Sequence, residues 1–364
     1  MIISRYLVRE ICAPLLVILG ILSALFASYS AADFLSDAVN GLLPMNMIAE
    51  LIGLRVLIAL EVLIPISLYI AVVLSFAKLN GHSEFTAMFA LRVGPARVMG
   101  AVLTLSACLA AIVAGLSLVA RPWAYQVSHA LSRRAEAMLD VNTMAAGTFY
   151  LGQNGTRVIF LGHRDGPASP AQDVFVRIEY SDHNEIMHAR LAYPLPKPGA
   201  NDAARVVLRD VHIYELGHAD EQPDQTLSTR EMVLNIDGGT PEPLAYSSLD
   251  ASSLRLAGSR SPDDIAELQW RLSTPVSTLL LGMLGIPLSR GKPRQGVYAK
   301  FGAVIVIYSC YYLLCSTART WVQHGQVGEF PGLWWAPALL GLVLLIAIYT
   351  PSLNFRFRRG RRAW

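Results

Sequence analysis

The chain has 364 residues, of which 53% are hydrophobic and only 16% charged, with a net charge of +3. An ordinary soluble domain carries about a quarter charged residues, so these values exclude that class and put a membrane protein first. The positive excess gathers in a tail containing Arg356, Arg358, Arg359, Arg361 and Arg362. Anchoring at an anionic leaflet explains such a tail better than contact with nucleic acid.

A membrane crossing needs about 20 mostly apolar residues. Six runs qualify, at residues 11–32, 47–77, 98–119, 268–288, 298–318 and 333–349, with a long polar stretch over 125–264 between the third and fourth. The first run follows Arg5 and Arg9 and ends in small residues, as a cleaved signal peptide would. It is longer than the roughly 7–15 residues of a signal core, and five more runs follow, so an uncleaved first helix is the simpler reading. Lys and Arg set the orientation. They sit before the first run, between the second and third (Lys78, Arg92, Arg97), between the fourth and fifth (Arg290, Lys292, Arg294, Lys300) and in the tail, whereas residues 33–46 have none and 319–331 only Arg319. Both termini are expected in the cytoplasm and the polar insert outside it. The expected domains are 1–123 with three spans, 124–264 as the exported insert, and 265–364 with three spans and the basic tail. Cys12, Cys108, Cys310 and Cys315 all fall in spans, so the insert must fold without disulfides.

The second span carries Arg55 and Glu61, followed by Pro65. Charges in hydrocarbon are costly and point to function. Arg55 lies about two turns from the span's end and can snorkel to the interface. Glu61 is deeper, and either faces a polar cavity or pairs across an interface. The next hairpin predicts a short helix over 83–94, with Ser83 as N-cap, Glu84 at the positive end of the dipole and Gly94-Pro95 as the stop. Phe85 with Phe89, and Glu84 with Met88 and Leu91, recur at helical spacing. They present an apolar surface beside Arg92 that suits a protein partner.

Residues 123–140 have helical spacing and extend the third span before breaking near Asp140. The periodicity then becomes twofold, predicting strands over 148–151, 157–161, 174–180, 185–191, 205–216 and 231–236. Breaks fall at Gln153-Asn154-Gly155, Gly166-Pro167, Ser181-Asp182-His183-Asn184, residues 194–199 and Gly238-Gly239. Short strands without intervening helices favour a sandwich, jelly roll or open barrel. Over residues 205–214 polar and apolar residues do not alternate cleanly, which either a bulge or an apolar inner groove explains.

No G-x-x-x-x-G-K-[ST], H-E-x-x-H, C-x-x-C or G-x-S-x-G motif occurs. His163, His183, His188, His212 and His218 read as solvated strand residues rather than metal ligands. The chain is expected to be non-catalytic, with no cofactor or metal of its own. Any ATP-driven work falls to a partner.

Several stretches together resemble the lipopolysaccharide export permeases LptF and LptG. They are Arg5-Tyr6-Leu7-x-Arg9-Glu10, Leu63-Ile64-Pro65-Ile66-Ser67-Leu68, Ser83-Glu84-x-Thr86-x-Met88-x-Ala90, Glu267-Leu268-x-Trp270-Arg271, Ile286-Pro287-Leu288-Ser289 and Pro293-Arg294-Gln295-Gly296. The opening looks more F-type than G-type. Two departures stand out: Arg92 replaces a usual Gly, and Ser30 and Asp33 stand where basic residues suited to lipid phosphates can occur. The resemblance implies a polytopic α-helical membrane protein of six transmembrane helices, with an all-β, jellyroll-like periplasmic domain inserted between the third and fourth. It implies the bacterial inner membrane, an LptG-type permease partner, an LptB-type ATPase dimer using ATP and Mg, and LptC-type and LptA-type periplasmic jellyroll proteins, with lipopolysaccharide as cargo. Glu84, Phe85, Met88, Phe89 and Arg92 then become ATPase-coupling candidates. Tyr308, Tyr311, Tyr312, Leu314 and Arg319 become lipid-cavity candidates, and Val158, Ile159, Phe160 and Leu161 candidates for a groove or exposed strand edge. Two other readings are a lipoprotein-releasing or mechanotransmitting permease, disfavoured by the three-plus-three layout, and a non-transporting envelope-assembly scaffold.

Overall fold

The computed structural model describes residues 2–39, 43–92, 94–137, 147–151, 157–164, 169–179, 183–195, 205–217, 225–235, 247–289 and 301–360. The chain divides into two compact units. One comprises Met1–Tyr29, Gly53–Val127 and Tyr246–Trp364, the other Ser30–Ile52 and Ser128–Ala245.

The helices are α1 (Ile2–Val39), α2 (Met45–Gly81), α3 (Glu84–Ala90), α4 (Pro95–Gly115), α5 (Arg121–Ala137), α6 (Ser253–Ala257), α7 (Pro262–Ser289), α8 (Phe301–Gln323) and α9 (Trp335–Gly360), with a π-helical turn, Leu116–Ala120, joining α4 to α5. Five stretches are long and apolar enough to cross a membrane: Ile3–Val39, Met45–Gly81, Pro95–Ser132, Pro262–Ser289 and Gly302–Gln323. The sixth expected span is the shorter apolar stretch Trp335–Tyr349. Its helix α9 has 26 residues, about 39 Å at 1.5 Å per residue. The third span continues into α5 as expected; the break near Asp140 lies outside the described residues, as do the basic residues from Arg290 to Lys300 and the Pro293-Arg294-Gln295-Gly296 stretch. Helices α2 and α7 cross closely because Gly285 and Gly282 lack side chains. A Cβ on Gly285 would fall 2.7 Å from Val72 Cγ1, and one on Gly282 would fall 3.0 Å from Leu68 Cδ2.

The hairpin helix differs from expectation at both ends. Ser83 accepts the first helical bond through its carbonyl, from the Ala87 amide, but its φ is +60° rather than extended. At the other end α3 stops at Ala90, and Arg92 takes φ +61°, the left-handed conformation that commonly terminates a helix and favours glycine. Gly94-Pro95 therefore does not close α3. It opens α4, with Gly94 as N-cap and Pro95 in the first turn.

In the second unit, β1 (Thr148–Leu151), β2 (Arg157–His163), β3 (Ala171–Glu179), β4 (His183–Leu195), β5 (Arg205–Gly217) and β6 (Gln225–Asn235) form one antiparallel sheet in the order β1-β2-β3-β4-β5-β6. The insert is thus all-β, and its described strands run up and down in sequence order. Strand β4 passes through Pro194. The turns expected at Gln153-Asn154-Gly155, Gly166-Pro167 and Gly238-Gly239 lie outside the described residues, as does His218; of the break expected at Ser181-Asp182-His183-Asn184, His183 and Asn184 instead begin β4, and of that at 194–199, Pro194 and Leu195 end it, because both ends pair with β5.

The uneven alternation of β5 has a cooperative cause. The pairing omits Gly162–Asp173, Asp173–Arg190, Arg190–Asp210 and Asp210–Arg230, so one residue per strand drops out of the ladder along a single row from β2 to β6. Asp173 and Asp210 take φ +53° and +54° there, which Asp tolerates better than most residues. At Gly162 a Cβ would meet the Asp173 Cβ and the Gln172 carbonyl at 3.0 Å. Each strand changes phase at this row. Val206 and Leu208 are buried before it in β5, and Val211 and Ile213 after it; Met187 and Ala189 give way to Ala192 in β4. All these residues join one apolar cluster, so the row keeps a single inner face. Because every strand loses the same residue, the register is preserved, unlike in a one-strand bulge.

Candidate functional site

The hairpin α3 is fastened to α1 and to α2, which are themselves bonded to each other. Tyr6 Oη donates to Glu84 Oε2 at 2.8 Å, Lys78 Nζ meets Glu10 Oε1 at 2.6 Å, and the Ser75 hydroxyl donates to the Glu10 carbonyl at 2.9 Å. Phe85 is buried and packs on Phe76, ring centroids 5.1 Å apart. The expected presentation of Phe85 to a partner is therefore corrected: its ring goes into the chain's own apolar core, where it packs on Phe76. Met88 also packs partly on that core. What remains outward is Glu84, half-exposed, with Ala87, Leu91 and Arg92. The side chain of Phe89 lies outside the described residues.

A buried charge cluster forms where α2, the π turn, α5, α7 and α8 meet. Glu61 is 2% exposed; it accepts from Ser117 Oγ at 2.8 Å and from Arg121 Nη1 at 3.1 Å. The π turn carries Ser117, and Arg121 follows it immediately. Such turns re-aim side chains and occur often at functional sites. Arg121 Nη2 also reaches Glu267 Oε2 at 3.3 Å. Glu267, with no exposure, is the hub: Arg319 Nη2 donates to the same Oε2 at 2.8 Å, and Arg271 Nε to Oε1 at 2.8 Å. Arg271, equally buried, spends its remaining donors on the carbonyls of Ala251, Leu249 and Ser248 at 2.9, 3.0 and 3.2 Å. It thus pins the segment that leads into α6.

Of the two alternatives left open for Glu61, the structure shows pairing between helices within the chain. Arg55 is half-buried elsewhere on α2. Sequence reasoning missed Arg121 and the hub role of Glu267 and Arg271. Their signal was present as charge beside apolar runs and, for Glu267 and Arg271, as a four-residue helical spacing, but partners 52 to 146 residues away cannot be read from spacing.

The tyrosines of α8 are mostly turned inward. Tyr308 Oη donates to the Val62 carbonyl at 3.2 Å, and the buried Tyr311 hydroxyl bonds the Ser277 hydroxyl. Among the large apolar side chains from Tyr308 to Leu314, Tyr312 (40% exposed) and Leu313 (63%) face outward, and Leu314 is half-buried. Arg319 lies over the Trp270 ring, 5.3 Å from its centroid. In the second unit, Val158, Ile159, Phe160 and Leu161 belong to β2, which is flanked by β1 and β3. They are therefore not a sheet edge; the edges are β1 and β6. Leu161 and Ile159 face the apolar cluster, while Phe160 pairs with Phe149 at 4.5 Å. Among the described residues no group of His, Cys, Asp or Glu could hold a metal ion.

The family described as "Lipopolysaccharide export system permease LptF/LptG" matches residues 5–350. The lipopolysaccharide export system permease protein LptF of Escherichia coli K12 is 27% identical over 365 residues, covering 96% of this chain and 94% of that protein. LptF of Shigella flexneri gives the same figures. The match runs through α3, the Glu267–Arg271 hub and the inserted sheet alike, and the chain belongs to the LptF/LptG family as a multi-pass permease subunit for lipopolysaccharide export.

Proposed function

We propose that this chain is the F-type half of a permease pair that draws lipopolysaccharide from the inner membrane, driven by an LptB-type ATPase dimer docked on α3. The observation that carries the reading is the seating of α3. It is a seven-residue helix between two spans, with Phe85 anchored inward and Glu84 and Leu91 left outward. A short helix fixed on one side and open on the other can pass a push from a partner to α1 and α2. The Lys and Arg distribution supports placing α3 and both termini in the cytoplasm and the sheet in the periplasm.

The energetics explain the rest of the assembly. Each CH₂ exposed to water costs about 0.8 kcal/mol, so a lipid with several chains needs an apolar path throughout. The LptG-type partner completes a cavity in the membrane, and the inner face of the sheet continues it toward LptC-type and LptA-type jellyroll proteins. ATP and Mg are used by the ATPase, not by this chain.

Glu84→Ala tests the reading. The protein should remain in the membrane, while co-purification of the ATPase or lipopolysaccharide export falls. Unchanged pull-down together with unchanged export would overturn the coupling role.

A further inference from the structure

Glu267 holds three guanidinium groups, and they are not equivalent. If Arg271 left, it would abandon the backbone carbonyls of Ser248, Leu249 and Ala251, and if Arg121 left, it would strand Glu61. Arg319 is different. It has 21% side-chain exposure against none for Glu267, its Nε has no hydrogen-bond partner, and Glu267 is its one carboxylate among the described residues. It is also the one Lys, Arg, Asp or Glu in α8.

Breaking a buried ion pair is costly because it leaves a charge unpaired. When Arg319 leaves, Glu267 keeps Arg121 and Arg271, and Arg319, 21% exposed and about one turn from the end of α8, leaves no carboxylate unpaired. Below this tether, α8 closes over a void of about 40 Å³, lined by Val62 and Pro65 of α2, Trp270 and Ser277 of α7, and Tyr311 and Cys315 of α8. Side chains around a void lack contacts on that side, so this seam is loosely packed.

We propose that Arg319 is a positioning residue: its ion pair with Glu267 is a releasable tether that holds α8 against α2 and α7 and keeps the seam at Cys315 shut. The proposal rests on the export reading only for the purpose of such an opening.

The chain contains its own probe. Cys315 is buried in the seam, and Cys310, on the same helix, is exposed. In the full-length protein in membrane vesicles, with Cys12 and Cys108 replaced by Ser, N-ethylmaleimide labelling of the two thiols is followed by peptide mass spectrometry. Loss of a charge-assisted hydrogen bond predicts that Arg319→Gln speeds Cys315 labelling on the order of tenfold, with Cys310 unchanged. Arg319→Lys, which keeps the cation but not the planar group over Trp270, should give a smaller rise and serves as the readout if Arg319→Gln fails to accumulate. An unchanged Cys315 rate overturns the proposal. So does an equal rise at both thiols, which would mean general loosening. Labelling requires neither ATPase nor lipopolysaccharide, so its failure is distinguishable from failure of the export reading.

Discussion

Replacing Glu267 by Gln removes the one negative charge shared by three arginines while keeping the side-chain volume. Arg271 retains three backbone carbonyls and Arg121 retains Glu61, but Arg319 loses its carboxylate, and the new amide group turns N–H donors toward guanidiniums that can only donate. All of this happens at a site with no exposure. Breaking a buried pair from one side costs about 3–5 kcal/mol, or roughly two to three and a half powers of ten in the folded-to-unfolded ratio. The assay is SDS-driven unfolding of the full-length protein in mixed micelles, read by tryptophan emission. An exposed pair supplies the contrast. Lys78 and Glu10, in the same unit, lie 2.6 Å apart with side chains 54% and 25% exposed, so Lys78→Gln should leave stability nearly unchanged. A loss below about 1 kcal/mol for Glu267→Gln would refute the reasoning that the cluster is sealed from water and held by its hub.

Gly285→Ala should destabilise the helical unit by about 1–3 kcal/mol, because its Cβ would meet Val72 at 2.7 Å; Gly20→Ala, with nothing within 4 Å, should not, and equal behaviour of the two in the same titration would contradict the close α2–α7 crossing. At Asp210, φ +54° disfavours a β-branched residue. Asp210→Val should therefore cost about 1–2 kcal/mol and make the insert more sensitive to limited proteolysis in the full-length protein, whereas Asp210→Gly should leave it intact; a resistant Val variant would argue against the kink row.

The membrane character, the number of apolar runs and the all-β insert were legible in the sequence. Each is a local property, namely run length, charge bias or twofold alternation, measured against a fixed solvent. Most strand positions were legible for the same reason, even though β5 broke its alternation; the sixth was not, since β6 begins at Gln225, six residues before its expected start, where Gln225 to Arg230 carry no clear alternation. What tertiary structure decided were the relations between distant segments. Phe85 reads as a docking residue until Phe76 is seen beside it. Arg92 reads as a departure from glycine until its left-handed backbone shows that it ends α3 where a glycine would. Strand β2 becomes interior only once β1 pairs along it, and the phase change of β5 makes sense only when β2, β3, β4 and β6 are seen to lose a residue on the same row. Glu61, Arg121, Glu267, Arg271 and Arg319 are separated by up to 258 positions in the chain, and beyond the four-residue helical spacing of Glu267 and Arg271 nothing in their spacing joins them. A low-dielectric interior does, since none of these charges is tolerable there unless the helices cross so that each finds an opposite partner.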